Sequence, residues 1–573
     1  MSNPPFANHP SSLATPLLLD RVHEHVAAHP KQVFLTQPVG NGQVVDYTWA
    51  EVLDQARRMA AHLKGYGFAP GARVAMLAKN SAHFFMAELA IWMAGGTTVA
   101  IFPTETAANV RFVLNHSEAS LLFVGRLDTW PQQQAAVPEG LPCIALPLSP
   151  MLAGSSNFKA WDDIVATTAP LGGLPTRAAS DIAMLLYTSG STGQPKGVMH
   201  SFATASSAVN GILRHREDVQ STEPSRVLSY LPLAHAYERA VVMCLSLMHG
   251  NTHIFFTESL ATFMDDLKRA RPTLFVSVPR LWAKFQQAVL AQMPAAQLEA
   301  LLDNPATAGA VGKKVLASLG LDAVTQASSG SAPITAELMN WYRRLGLNLL
   351  EGYAMTEDFC YSHRSSSMAN ALGHVGKPYP EVQARIAEDG EILVKSPGCM
   401  VGYYKQPELN AESFTEDGFF RTGDLGHYNA EGLLKLTGRK KELFKTAKGK
   451  YVAPAPIENL LNVNPMVELS LVSGLGQPAA FALVQLDEGL RPKLGQPEVR
   501  TSVTAALKQL RQEVNAQLAS HEHLQFIAVS SELWSMDNGC LTPTMKIKRN
   551  HIEAGFADVL ATWYASGDEV VWA

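Results

Sequence analysis

The chain has 573 residues, 47% hydrophobic and 17% charged, with a formal net charge of −5. That balance provides for a large core and excludes disorder, collagen and coiled coil as the main architecture. No basic excess is present to neutralise a phosphate backbone, which argues against nucleic acid as a partner, although a pocket for a small anion needs only a few cations.

At roughly 150 residues per domain the length predicts two to four folding units. The five cysteines are scattered, odd in number and form no CxxC, which predicts reduced thiols. The N-terminal MSNPPFANHP lacks the basic segment and apolar run of a signal peptide. The most apolar stretch, around 87–102, is broken by Gly95, Gly96, Thr97 and Thr98. It falls short of the about 20 apolar residues that span a bilayer. A soluble cytoplasmic protein is expected, and peripheral contact with the inner face of a membrane or pairing into a homodimer is compatible with it.

In chain order, Thr48 and Glu51 form a capping box ahead of Val52, Ala56, Met59 and Leu63, which share one helix face. RVAML (73–77) reads as a strand, with Asn80 or Ser81 capping the helix that follows. TTVAIF (97–102), a helix over 107–115 and SLLFVG (120–125) continue the alternation. Strand–helix–strand repetition predicts parallel sheets covered by helices on both faces. Five later apolar runs, MLLY, RVLSYLP, TLFVSVP, AVTQASSG and LNLLEGY, each end in a polar loop. Parallel sheets gather ligand groups beyond the C-terminal ends of their strands, so five such loops predict one shared crevice. From about 375 short β segments punctuated by glycine suggest a compact β unit. GRKKELFKTAKGKY (438–451) reads as a basic, flexible connector, and 452–573 as a small α+β domain with a helix near 501–518.

The strongest chemical signal is YTSGSTGQPKGVMH (187–200). Thr188, Ser189, Ser191 and Thr192 surround Gly190 and Gly193, and Lys196 follows. Glycines let successive N–H groups turn toward one anion, hydroxyls add donors and lysine adds charge: this is a phosphate cradle. It is not a GxxxxGK[ST] loop, and HExxH and GxSxG are absent, which removes metallohydrolase and serine-hydrolase readings.

Together with LPLAHAYER (231–239), PTLFVSVPRLW (272–282), SSGSAP (328–333), EGYAMTE (351–357), RTGDLG (421–426), GRKKELFKTAKGKYVAPAPIEN (438–459) and TPTMKIKR (542–549), this segment resembles the acyl-adenylate-forming superfamily. The LPLAHAYER and PTLFVSVPRLW forms look most like its long-chain fatty acyl-CoA synthetase branch. The resemblance implies an α/β fold: a large N-terminal domain of doubly wound sheets with a small β-barrel unit (1–438, the β-rich part about 375–438), and a small mobile α+β domain (439–573) hinged at 439–441.

It also implies ATP-dependent conversion of a medium- to long-chain fatty acid to acyl-AMP, then transfer to CoA, with Mg²⁺ as cofactor. Two mutually repelling anions condense only where cations hold the triphosphate and stabilise the α-phosphate. In that scheme Lys196 and the hydroxyl loop hold phosphates, and Glu357 and Thr188 hold the metal. Tyr353 stacks on adenine, with Glu351, Gly352 and Thr356 beside it. Gly330 turns its N–H to the nucleotide or acyl carboxylate. Asp424 takes the ribose hydroxyls, helped by Arg439, with Lys441 at the hinge. His235 gates the acyl carboxylate. Lys546 serves adenylation and is withdrawn when the small domain rotates, after which Gly449, with Lys448 and Lys450, lines the thiol's approach; Lys445 is a further cofactor-binding candidate.

Two departures stand out. Met545 replaces the usual glycine before the adenylation lysine, and Ala354 replaces the usual glycine after the stacking tyrosine, where an added methyl narrows the acyl tunnel. Rival readings are a ligase that loads a carrier protein instead of CoA, and a non-catalytic nucleotide-binding regulator on the same fold.

Overall fold

The computed structural model describes residues 15–153, 158–189, 194–216, 223–542 and 545–573. The early helix signals act as read. Thr48 Oγ1 accepts from the Glu51 N–H at 3.3 Å, and the Glu51 carboxylate accepts from the Thr48 N–H at 2.8 Å, closing the start of helix Trp49–Lys64. That reciprocal pair satisfies donors a helix start otherwise leaves open. Ser81 caps the helix Ala82–Met93, every residue of which is buried. A helix without a polar face has to lie between layers. This one packs on Trp49–Lys64 and touches strands of two different sheets, Thr97–Ile101 and Val33–Gly40.

The eight-stranded sheet runs in the order Gly402–Tyr403, Pro195–Ser201, Ile182–Ser189, Thr97–Ile101, Arg73–Leu77, Leu121–Val124, Cys143–Ala145, Lys159–Ala160. From Ile182–Ser189 onward neighbours are parallel, as the alternating pattern predicts. A five-stranded sheet sets Leu274–Ser277, Gln326–Ser329 and Leu349–Tyr353 side by side in parallel, then adds two short antiparallel strands. A third sheet pairs Ser225–Ser229, Thr252–Phe256 and Val33–Gly40 in parallel, with Gln43–Thr48 at its edge.

The β unit after 375 is an antiparallel sheet of Gln383–Ile386, Glu391–Lys395, Phe420–Tyr428 and Leu434–Arg439. Its outer strands do not pair with each other, so the sheet stays open where a barrel was expected; four strands leave no interior for side chains to fill. The basic connector is also more ordered than expected. Leu434–Arg439 is strand, Lys440–Glu442 a single 3₁₀ turn, and Phe444–Lys445 pairs with Tyr451–Val452 as a hairpin. Lys440 Nζ bonds Asp389 Oδ2 at 2.5 Å, which ties the turn to the β unit.

The small C-terminal domain holds a four-stranded sheet, Val467–Ser473, Ala480–Leu486, Leu524–Val529 and Val570–Trp572, with the helices Pro454–Asn462 and Pro497–Asn515. Ala480–Leu486 is buried throughout. Its alternate side chains feed two cores, Ala482 and Val484 one and Phe481 and Leu483 the other. Strands covered on both faces lose the polar alternation of a half-buried strand. Among the described residues no helix is long and apolar enough to cross a membrane.

Candidate active site

Strand ends from the eight-stranded and five-stranded sheets, with the loop after Ser225–Ser229, open onto one cavity of about 1640 Å³. Thr188, Lys196, His235, Gly330, Glu351, Gly352, Tyr353, Thr356, Glu357, Asp424, Arg439, Lys441 and Lys546 all line it, which brings most of the sequence-predicted residues together. The expected shared crevice is therefore a single space.

Ile182–Ser189 and Pro195–Ser201 form an antiparallel hairpin in which Thr188 lies opposite Lys196 and Ser189 opposite Pro195. Gly190, Ser191, Thr192 and Gly193, the centre of the expected cradle, lie outside the described residues. Gly197 sits close under an aromatic side chain: a Cβ there would stand 3.1 Å from the Tyr187 ring. Lys196 Nζ lies 5.5 Å from the centre of the Tyr403 ring. Burial and the charge of Lys441 lower the Lys196 pKa, opposed by Glu357.

Glu357 sits in a 3₁₀ turn, Thr356–Asp358, just past the strand Leu349–Tyr353. Its Oε1 accepts from the Tyr403 hydroxyl at 2.8 Å. Tyr403 is a site residue that sequence reasoning missed; it reaches Glu357 because Gly402–Tyr403 pairs with the far strand of the cradle hairpin. The turn is held from below. Burial keeps the His200 imidazole neutral, its pKa pushed down to about 4, so Nε2–H donates to the Thr356 carbonyl at 2.8 Å. Asp358 accepts from the Met355 N–H at 3.0 Å, and burial pushes its carboxyl up to about 8. Among the described residues no three His, Cys, Asp or Glu side chains cluster as a self-sufficient metal site. One carboxylate and one hydroxyl, Glu357 and Thr188, on the wall of a cavity large enough for a nucleotide fit Mg²⁺, which commonly takes few protein ligands and completes its shell with phosphate and water.

Asp424 is 9% exposed and has both oxygens engaged: Oδ2 accepts from the Tyr353 hydroxyl at 2.8 Å, Oδ1 from Arg439 Nε at 2.7 Å. The register that sets Asp424 opposite Arg439 on adjacent antiparallel strands creates the pair. Each carboxylate oxygen can still accept a second hydrogen bond, so two diol hydroxyls find a pre-oriented partner. The Asp424 charge raises the Arg439 pKa, and burial raises that of Tyr353. Glu351 is turned to structure: its Oε1 accepts from the Ile334 N–H at 3.2 Å, and burial pushes its pKa up to about 7.

Lys546 reaches the cavity from the small domain. Its surface is open to the cleft, yet protein on both sides makes desolvation the main force lowering its pKa. Arg439 lowers it further, while Asp424, Glu442 and Glu357 oppose. Its turn is pinned by the Lys546 N–H donating to Thr542 Oγ1 at 3.0 Å. Met545 has φ +61°, the left-handed region that favours glycine, which gives a physical reason for the glycine usual there. His235 accepts the Tyr237 N–H at Nδ1, 3.1 Å, so Nε2 carries the proton. Burial, then the Lys546 charge, push its pKa down to about 4.

The segment before His235 is clamped by groups the sequence did not reveal as linked. Asn80 Nδ2 donates to the Leu231 carbonyl at 2.7 Å and to Ser229 Oγ at 2.9 Å; its Oδ1 accepts from the Leu233 N–H at 3.1 Å. Arg239 Nε donates to the Leu233 carbonyl at 2.8 Å, and Arg239 pairs with Glu88, both fully buried. Glu88 is the one acid in the otherwise apolar helix AHFFMAELAIWM, a signal that could have marked a buried partner. Ser229 Oγ donates to Glu238 Oε1 at 2.6 Å, and burial pushes Glu238 up to about 8.

One expectation needs correction. The Gly330 N–H faces no ligand; it donates to the Ser277 carbonyl at 3.2 Å, as strand pairing extends one residue. The left-handed residue of that turn is Ser331, φ +69°, and a Cβ at Gly330 would stand in tight contact, 3.3 Å from the Tyr237 ring. Lys445 and Gly449 are not among the groups that line this cavity, and the place expected of their segment belongs to the pose after rotation. Lys445 Nζ lies 5.5 Å from the Tyr451 ring centre, and Gly449, φ +77°, makes the hairpin tip.

A model of the AMP-binding enzyme family matches residues 22–404, and one of the AMP-binding enzyme C-terminal domain matches 442–568. The long-chain-fatty-acid–CoA ligase FadD15 of Mycobacterium bovis is 31% identical, covering 95% of this chain and 96% of that protein. The human long-chain-fatty-acid–CoA ligase 1 is 29% identical, over 88% of this chain and 80% of its own. Among solved structures, the adenylation domain of a Segniliparus rugosus carboxylic acid reductase, bound to AMP and a carboxylic acid, superposes with a TM-score of 0.80 at 22% identity, covering 97% of this chain and 95% of that one. ATP-bound MatB of Rhodopseudomonas palustris gives 0.73 at 23% identity, with 95% and 99% covered. Family models over most of the length, a shared fold and the assembled cleft agree: the chain belongs to the AMP-binding enzyme family.

Proposed function

We propose that this chain activates a medium- to long-chain fatty acid with ATP, releasing pyrophosphate, and passes the acyl group from acyl-AMP to CoA. The observation that carries the reading is the cleft itself. Lys196, Arg439, Lys441 and Lys546 converge on one side, and the same space continues into apolar wall at Ile212, Val241 and Leu245. An anionic nucleotide and an apolar tail are thereby accommodated in one cavity, joined where a carboxylate meets a phosphate.

Lys196 and the cradle hold the β- and γ-phosphates, and Lys546 neutralises the charge that develops on the α-phosphate as the acid attacks. Asp424 orients the ribose, with Tyr353 fixed against it. The protonated Nε2 of His235 donates to the acyl carboxylate. Glu357 and Thr188 hold Mg²⁺, whose positive charge would lessen the mutual repulsion of the phosphates. The large domain extends to 438, and the small one turns about Arg439–Lys441, so that Lys546 leaves and the hairpin bearing Lys445 and Gly449 faces the thiol. The mixed anhydride of acyl-AMP is a far better acyl donor than the acid. The five free thiols fit a cytoplasmic setting, where a fatty substrate is taken from the inner face of a membrane.

The deciding experiment incubates the purified chain with ATP, CoA and acids from acetate to C18, with product masses read directly. Acyl-CoA from acids above C6 is expected. Best turnover on acetate, or acyl-AMP that never reaches CoA but loads a carrier protein, overturns the assignment.

A further inference from the structure

Arg280 lies in the first turn of helix Pro279–Gln292, straight after the strand Leu274–Ser277 that contributes to the cleft wall. Its Nη2 lies 2.5 Å from Oε1 of Glu468, on the edge strand Val467–Ser473 of the small domain. The other oxygen of Glu468, Oε2, accepts from Arg491 Nη2 at 3.0 Å and from Gln485 Nε2 at 3.1 Å. The small domain therefore aims the carboxylate, and the large domain supplies the cation that meets it. The two side chains are 36% and 18% exposed, which places the pair between an open surface contact and a buried one.

The cleft gives this pair a task. Burial is the main cause lowering the pKa of both Lys196 and Lys546; the neighbouring cations Lys441 and Arg439 lower them further, and Glu357 opposes at both. An attraction holding Lys546 in place has to act outside the cleft, where substrate does not displace it. We propose that Arg280 and Glu468 are positioning residues for the first half-reaction: their ion pair clasps the small domain in the pose that carries Lys546 into the cleft. The proposal rests on the two-step reading above.

The test uses the full chain with R280A, R280K, E468Q and R280A/E468Q. R280A is expected to lower acid-dependent pyrophosphate release roughly fivefold at saturating ATP and acid. Thioester formation from pre-made acyl-AMP and CoA stays unchanged or rises. R280K keeps most of the first step, and the double variant is no worse than R280A, because the two residues act as one unit. Independently of turnover, Lys546 is acetylated faster by acetic anhydride in R280A than in the parent, read by mass spectrometry. Equal losses in both half-reactions, additive losses in the double variant, or unchanged Lys546 labelling each overturn the clasp. If the parent chain activates no acid at all, it is the two-step reading that falls, and the labelling still decides the clasp. Should R280A fail to fold, E468Q carries the same comparison.

Discussion

The two ends of the cleft are built on opposite terms. At the nucleotide end the working groups are charged and arranged in opposed sets: Tyr403 and Lys196 about Glu357, Tyr353 and Arg439 about Asp424. At the acyl end Ile212, Val241 and Leu245 come from three packed helical segments, Phe202–Arg214, the π-helical turn Arg239–Cys244 and Leu245–His249. His235, held neutral by burial, lines the same space. One space can take an anion and a hydrocarbon because charged and apolar groups both line it. The difference also shows in how each end is encoded, contiguous motifs for the first and dispersed apolar residues for the second.

The contrast can be broken most severely at Lys546. K546A should lower the first half-reaction by about 10²- to 10³-fold, measured as pyrophosphate release, while CoA transfer from supplied acyl-AMP is spared. Losses of equal size in both steps would remove the charge argument. At Glu357 the partner that the sequence did not disclose gives a smaller, sharper test. Y403F removes one charge-assisted hydrogen bond and should cost about tenfold in kcat. A KM change alone would mean that Tyr403 only shapes the wall.

At the opposite end, L245W should fill the apolar arm and shift preference to shorter acids, with about tenfold lower kcat/KM on C16 than on C8 relative to the parent. An unchanged chain-length profile would move the acyl arm elsewhere. A354G should act in the other direction by only a few-fold, since one methyl is removed at the tunnel mouth.

The smallest expected effect concerns pH. Burial raises Glu238 from its ordinary range to about 8. The folded state therefore holds a proton that the unfolded chain releases, so the stability this contributes is complete at acid pH, below the ordinary carboxyl range, and is lost as pH rises toward 8. E238Q should make the fall in Tm between about pH 6 and about pH 8.5 shallower, with the remaining slope owed to Glu351 and Asp358, raised by the same cause. An identical slope in E238Q would show that Glu238 is charged in the fold.

That Thr188, Lys196, Tyr353, Glu357 and Lys546 share one cleft was legible in the sequence, because each lies in a short motif that resembles a family segment. The glycine expected before Lys546 is a case in point: φ +61° at Met545 is a local backbone demand, and local demands leave local traces. Gly330 shows the limit. A glycine can answer a turn or a close neighbour, and only the folded structure sets the Tyr237 ring beside this one.

By itself the sequence determined the alternating strands and helices and the five polar loops at strand ends, since periodicity and short-range spacing specify both; the groups expected at the anion came from the resemblance of its motifs to a family. Tertiary structure alone decided that Tyr403 meets Glu357 and that Arg239 meets Glu88. It likewise set Arg280 against Glu468 across 188 positions, and chose which apolar side chains face the cleft rather than the core. Partners so far apart in the chain are fixed by sheet register and helix packing, and no pattern within a single segment encodes the distance between two of them.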